Sequence, residues 1–227
     1  IRYALYEKKV DIQGYEYPFG KGKYVITYTT TAKTVITQDE VERVVKFKDF
    51  KGDKNMEYAR DIWLFLYRCS GINFIDALLM KWSDIDNGFI VFFRRKTIRT
   101  RVHNKRPLSI PITKKLEGLI QKIGVKDSPY ILGLLAEGSA PMTIHNKSHK
   151  VKQRVNRKLK DLSEELKLSI PLKIKTARET YATHLIWLGE SKDNVGIMLG
   201  HANSMVTENY LGGMNQIKNK TINDKLG

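Results

Sequence analysis

Leu199-Gly200-His201-Ala202-Asn203-Ser204-Met205-Val206-Thr207-Glu208-Asn209-Tyr210 sets a histidine nine residues before a tyrosine, close to the C-terminal end of a 227-residue chain. Gly200 reads as the stop of a short helix opened by Ser191, which leaves His201 in the turn immediately beyond that helix. Asn203 or Ser204 caps a further one- to two-turn helix with Val206 and Tyr210 on one side, and Gly212-Gly213 ends it. Tyr210 is thereby held near His201, and the pair reads as a nucleophile beside a hydrogen-bond donor. A tyrosine on a short amphipathic helix is by itself more often core or interface. The rest of the chain decides.

Forty Lys and Arg stand against 24 Asp and Glu, a net charge of +16. An excess of that size points to a polyanionic partner, and nucleic acid is the commonest one. The cations are also clustered. Arg94 to Arg106 holds Arg94, Arg95, Lys96, Arg99, Arg101, Lys105 and Arg106 with no acid, and Lys147 to Lys160 holds a second acid-free run that includes Lys152, Arg154 and Arg157. A single run is often only a solvated face; two of them favour phosphate contacts. Hydrophobic residues at 41% and aromatics at 10% argue against wholesale disorder. No apolar stretch approaches the roughly 18 residues of a membrane span. Cys69 is the lone cysteine, so no intrachain disulfide or cysteine-cluster metal site is expected and an intracellular, reducing setting fits. The chain opens at Ile1 without a methionine, as a piece of a longer protein would.

Residues 1–12 have helical spacing but are too short to stand as a domain, and 13–34, with Gly14, Pro18, Gly20 and Gly22, read as a linker. A compact domain is expected over 35–211, followed by a tail, 212–227. Thr37-Gln38-Asp39-Glu40 is a capping box that opens a helix to about Lys48. Further helices are expected over Asn55 to Arg68 and Phe74 to Lys81. The period then changes. Asp84 to Gly88 is turn chemistry, Phe89 to Phe93 suits a strand, and Arg106 to Ile112 alternates as a returning strand, so the first basic run crosses the tip of a hairpin. Helices resume at Lys114 to Ile123, Lys150 to Leu166 and Thr176 to Trp187. The expected class is mostly α with a small antiparallel β-sheet.

Five segments, in order, resemble the catalytic domain of the tyrosine recombinases of the phage integrase family. They are Ser70-Gly71-Ile72-Asn73-Phe74-Ile75-Asp76 with Leu79 to Ile85; Arg94-Arg95-Lys96-Thr97; Lys175-Thr176-Ala177-Arg178-Glu179-Thr180-Tyr181-Ala182-Thr183; Leu199-Gly200-His201; and Tyr210-Leu211. The wording around Asn73 and Arg178 is similar to integrases of Bacteroides-type mobile elements. The resemblance implies the DNA breaking-rejoining fold and site-specific recombination, with integration or excision by two transesterifications. Tyr210 would attack a backbone phosphorus to form a 3′-phosphotyrosyl link, and neither metal nor nucleotide cofactor would be needed. It also implies the helpers. Arg178 would clamp the phosphate through its planar fork, Lys96 would protonate the leaving 5′-oxygen, and His201 would hydrogen-bond the phosphate. A phenol with an ordinary pKa of about 10 needs such cationic help.

Two positions depart from the family pattern. Asn73 stands where most members carry the first clamp arginine, and Lys175 where most carry a histidine three residues before the second. Lys175 restores on paper the charge missing at Asn73, and Arg68, one helical turn earlier, is another candidate substitute. Asp76 falls where the family carries a buttressing acid. Arg94, Arg95, Arg99, Arg101, Lys152, Arg154 and Arg157 are expected to contact the DNA backbone. Double-stranded DNA is the implied partner. The resemblance further implies a homotetramer on DNA in the full-length protein, accessory DNA-bending proteins, no membrane association, and a bacterial cytoplasmic location. On the same grounds 1–12 is the last helix of a missing core-binding domain, this fragment alone is a monomer, and 212–227 is a protomer-exchange segment. The lost arginine favours one alternative, a DNA-binding module of the same fold that no longer cuts.

Overall fold

A computed structural model describes residues 18–20, 22–25, 35–94 and 107–200. The chain divides into two compact units, Ile1–Thr31 and Ala32–Gly227. In the first, Phe19 and Tyr24 form a parallel bridge and meet edge to face, with ring centroids 5.8 Å apart. The helices expected at 1–10, after Asn203 and in the tail lie outside the described residues.

The second unit opens with α1 (Gln38–Lys46). Thr37 and Glu40 cap each other across its first turn, as the capping box predicts. Glu40 is buried and also accepts from the Ser169 backbone N–H at 2.6 Å and its hydroxyl at 2.9 Å, which fastens the start of the domain to a distant loop. Helix α2 (Lys54–Arg68) is capped by Asp53 and is buried nearly all round, with Ile62, Trp63, Phe65 and Leu66 at 0% exposure. A helix buried on every side is central, and α2 packs against three others: α4 (Lys114–Ile123), α5 (Pro141–Glu165) and α6 (Ile174–Trp187).

Between α2 and α4 lie α3 (Phe74–Leu79), a single 3₁₀ turn (Trp82–Asp84), and the strands β1 (Ile85–Asp86), β2 (Phe89–Phe92) and β3 (Leu108–Pro111). The strands form one antiparallel sheet in the order β1-β2-β3, with Ile90 opposite Ile110 and Phe92 opposite Leu108. β2 and β3 enclose the first basic run, as the alternating pattern predicts.

Helix α5 begins at Pro141, nine residues before the expected start. The cause is legible afterwards. Pro141 occupies the first helical position, where a missing N–H costs nothing, and Ile144, Ser148, Val151, Val155, Leu159 and Leu162 continue one buried stripe back into the segment without turn residues. The last described helix is α7 (Lys192–Met198), capped by Ser191 and stopped by Gly200 in the left-handed region at φ +62°. A small second core of Ala182, Ile186, Val195 and Leu199 clamps α7 onto α6. That contact fixes where the Leu199-Gly200 turn sits. Among the described residues no helix is long and apolar enough to cross a membrane.

Candidate active site

The site is built around the start of α6. Its first turn is held by neighbours: the Asn156 side-chain oxygen on α5 accepts from Ile174 N–H at 2.8 Å, and Trp63 Nε1 donates to Thr176 Oγ1 at 3.0 Å. The Thr176 hydroxyl also accepts from Lys173 N–H and donates to the Lys173 carbonyl, so all of its hydrogen-bonding capacity is used. One turn later Arg178 turns inward, 8% exposed. Its Nη1 donates to the Gly71 carbonyl at 2.8 Å and its Nη2 to the Leu199 carbonyl at 2.9 Å. This guanidinium therefore joins the turn after α2 to the Leu199-Gly200 turn at the end of α7.

Gly71 makes the approach of α6 feasible. Its φ is +62°, and a Cβ there would lie 3.1 Å from Arg178 Cα and 3.2 Å from the Tyr181 side chain. A backbone without a side chain at this point lets α6 come close enough for Arg178 to reach the Gly71 carbonyl. Beside it, the Tyr181 phenol is pushed above its ordinary pKa by burial, with a hydrogen bond to Ser70 acting the other way. Behind that layer Tyr67 and His184 meet at 3.0 Å, and His184 Nε2 lies 2.9 Å from the Ile36 carbonyl. A carbonyl only accepts, so Nε2 carries the proton and Nδ1 accepts from the Tyr67 hydroxyl.

The other expected site residues fall in different places. Asp76 is 2% exposed and faces Arg94, whose Nε lies 3.5 Å from Asp76 Oδ2. Arg94 is 7% exposed and its Nη1 donates to the Gly200 carbonyl. Sequence reading groups Arg94 with the solvated backbone-contacting cations; the structure instead buries it in an ion pair. The missed signal is strand parity: Ile90, Phe92 and Arg94 alternate onto one face, and all three are buried. Asn73 caps α3 with no side-chain hydrogen bond. Arg68 is half-buried, and burial lowers its pKa from the ordinary arginine range. Lys175 does not join the cluster, because its side chain is 77% exposed and pairs with Glu179 Oε1 at 3.1 Å. Tyr210, His201, Lys96, Arg95, Arg99 and Arg101 lie outside the described residues.

On α5, Lys147, Lys150, Arg154 and Arg157 follow a three-four-three spacing and form one exposed stripe, with Lys152 half-buried at its side. None of these pairs with an acid among the described residues, whereas Lys158 is held by Asp53 and Asp161 and Lys160 by Glu164. Because Asn156 caps α6, the basic helix runs beside the turn that carries Lys175 and Arg178. Among the described residues no group of three His, Cys, Asp or Glu side chains gathers as metal ligands would.

The sequence matches the model of the phage integrase family over residues 34–215. The chain belongs to the phage integrase family. No curated protein matches it. Among solved structures this family member is similar in fold to the XerA recombinase, at 15% identity and a TM-score of 0.57, covering 89% of this chain and 66% of that one. It is also similar to the Tn1549 transposon integrase in complex with a circular intermediate DNA, at 17% identity and a TM-score of 0.58, covering 89% and 69%. A third is a lambda integrase dimer bound to a core site, at 16% identity and a TM-score of 0.55, covering 94% and 56%. The chain thus spans between about half and two thirds of the length of several of these structures. The mostly helical fold with its small antiparallel sheet is that of the tyrosine recombinase catalytic domain.

Proposed function

We propose that the protein is a metal-independent site-specific recombinase that breaks and rejoins double-stranded DNA through a 3′-phosphotyrosyl intermediate. The observation that carries this reading is the Arg178 guanidinium, buried and aimed by the Gly71 and Leu199 carbonyls at the turn leading into His201. A fork fixed in that way is preorganised for two oxygens of a phosphate, and it needs no rearrangement as charge develops.

In the proposed step the Tyr210 oxygen forms a bond to phosphorus, giving up its proton to water, and the bond from phosphorus to the 5′-oxygen breaks. Lys96 supplies the proton that the 5′-oxygen takes up. Arg178 and His201 hold the non-bridging oxygens. A 5′-hydroxyl from another strand then attacks the phosphotyrosyl bond and returns the phenol, so the phosphodiester energy is kept in the covalent link. Lys175, solvent-facing on the first turn of α6, adds positive potential toward the DNA backbone, as do Arg154 and Arg157 on α5.

Incubation with a nicked duplex taken from the DNA flanking the gene tests this. Denaturing electrophoresis should show a slower protein band that carries DNA, and Tyr210→Phe should abolish it. A protein that binds the duplex tightly but gives no covalent band in any nick position is a non-cleaving DNA-binding module.

A further inference from the structure

Two guanidinium groups grip consecutive peptide carbonyls in the turn before His201. Arg178 Nη2 donates to the Leu199 carbonyl and Arg94 Nη1 to the Gly200 carbonyl. Consecutive Cα atoms are about 3.8 Å apart, so the two cations converge on adjacent peptide units of one turn. They are equally withdrawn from solvent, at 8% and 7% exposure, although they come from different elements, one on α6 and the other two residues beyond β2. Gly200 has the left-handed φ of +62°, and a Cβ on it would lie 2.7 Å from Arg94 Cδ, so the turn is shaped to let this side chain pass.

A second contact of Arg94 locates it relative to Asn73. Asp76 Oδ2 holds Arg94 Nε at 3.5 Å, and Asp76 lies one helical turn after Asn73, whose carbonyl accepts from Asp76 N–H at 3.0 Å. Asn73 is the N-cap of α3 and Asp76 the third residue of its first turn, so the two lie at the same end of the helix. A guanidinium bound to Asp76 therefore occupies the neighbourhood into which an arginine at position 73 would project. The other two candidate substitutes lack such a placement. Lys175 is exposed and paired with Glu179, and Arg68 makes no hydrogen bond or ion pair among the described residues.

We infer that Arg94 is a phosphate-binding residue of this site, bringing from the end of β2 the charge and hydrogen-bond donors that Asn73 does not bring from the start of α3. Asp76 is then its positioning residue, holding the guanidinium against the Gly200 turn. The assignment rests on the strand-cleaving function proposed above. It also places two groups of the reaction on one short segment, since Lys96 follows Arg94 by two residues.

The test compares two nicked duplexes from the DNA flanking the gene, one with an ordinary scissile phosphodiester and one in which a methyl group replaces a non-bridging oxygen. The methylphosphonate carries no negative charge and so needs no second cation. On the phosphodiester, Arg94→Ala should form the phosphotyrosyl adduct about 100-fold or more slowly than the parent, the loss typical of removing one preorganised donor. On the methylphosphonate, the two should agree to within about an order of magnitude, because the interaction removed has no charge to act on. Equal rates on the phosphodiester overturn the assignment, and so does an equal deficit on both DNAs in a variant whose circular dichroism is unchanged. Should Arg94→Ala fail to fold, Arg94→Gln is read by the same ratio of rates, since it removes the charge and keeps a hydrogen-bonding side chain. A parent that gives no adduct on either DNA overturns strand cleavage itself and the Arg94 role with it. A parent that gives adduct while the variant matches it overturns the Arg94 role alone.

Discussion

Gly71→Ala should damage stability and chemistry together, and its cost follows from two independent terms. The residue sits at φ +62°, where an L side chain costs roughly 1–2 kcal/mol. The added Cβ would also lie 3.1 Å from Arg178 Cα and 3.2 Å from Tyr181 Cβ. Arg178 Cα is backbone, so α6 must shift, an overpacking penalty of about 1–3 kcal/mol. The sum is about 2–5 kcal/mol, or a fall in melting temperature of about 4–20 °C at 2–4 °C per kcal/mol for a domain of this size. The same shift withdraws the Gly71 carbonyl from Arg178, so adduct formation should fall even well below the melting point. Gly118→Ala in α4 is the control. It is a mid-helix glycine, φ is not positive, and nothing lies within 4 Å of where a Cβ would stand, so the substitution should stabilise by about 0.5–1 kcal/mol. Thermal unfolding followed by circular dichroism reads both. Gly71→Ala melting with the parent, or Gly118→Ala falling as far as Gly71→Ala, would refute the reasoning.

Stability should also fall on acidification in two windows. Burial holds the His184 imidazole below the ordinary 6.5, so beneath that pH the unfolded chain binds a proton that the folded one resists, and stability drops until the folded value is passed. His184→Gln should flatten the pH dependence of melting below about pH 6.5, and an unchanged slope there removes His184 as its cause. Burial by itself would raise the Glu40 carboxyl, but hydrogen bonds from Ser169 and Thr37 hold it below 4.5 overall, so its contribution is lost as pH falls from 4.5 through the folded value. Glu40→Gln should melt lower than the parent at pH 7 and converge toward it in acid. On α5, the double variant Arg154→Ala, Arg157→Ala should lower the slope of log affinity against log salt by about 1.8 for a labelled duplex, at roughly 0.9 per phosphate contact. Anisotropy titrations that return an unaltered slope place those arginines away from DNA.

The helices that the sequence places most securely are those with a cap and a clear period: α1 with its capping box, α4 from Lys114 to Ile123, and α7 between Ser191 and Gly200. Local hydrogen bonding and turn chemistry specify such elements, so they can be read without their neighbours. The start of α5 is less legible because the polar segment from Thr143 to His149 carries only two inward positions, Ile144 and Ser148. Within the site, Arg178 turns inward to the Gly71 and Leu199 carbonyls, while Lys175 and Arg94 exchange prominence. Lys175 is three residues from Arg178 in sequence yet faces solvent, and Arg94 is 84 residues away yet meets the same turn.

By itself the sequence determined the order of the elements, the hairpin that carries the basic run, the helix stop before His201, and the family. Each depends on spacing, period or residue type within a short window. Only the tertiary structure decided which cations are solvated and which are buried, because that depends on segments far apart in the chain. Asp76, Arg94 and Gly200 share no local pattern. They meet because α7 packs onto α6 through Ala182, Ile186, Val195 and Leu199, and because Arg94, just beyond β2, is buried against Asp76 on α3, so the same basic run that reads as surface contributes one arginine to the interior.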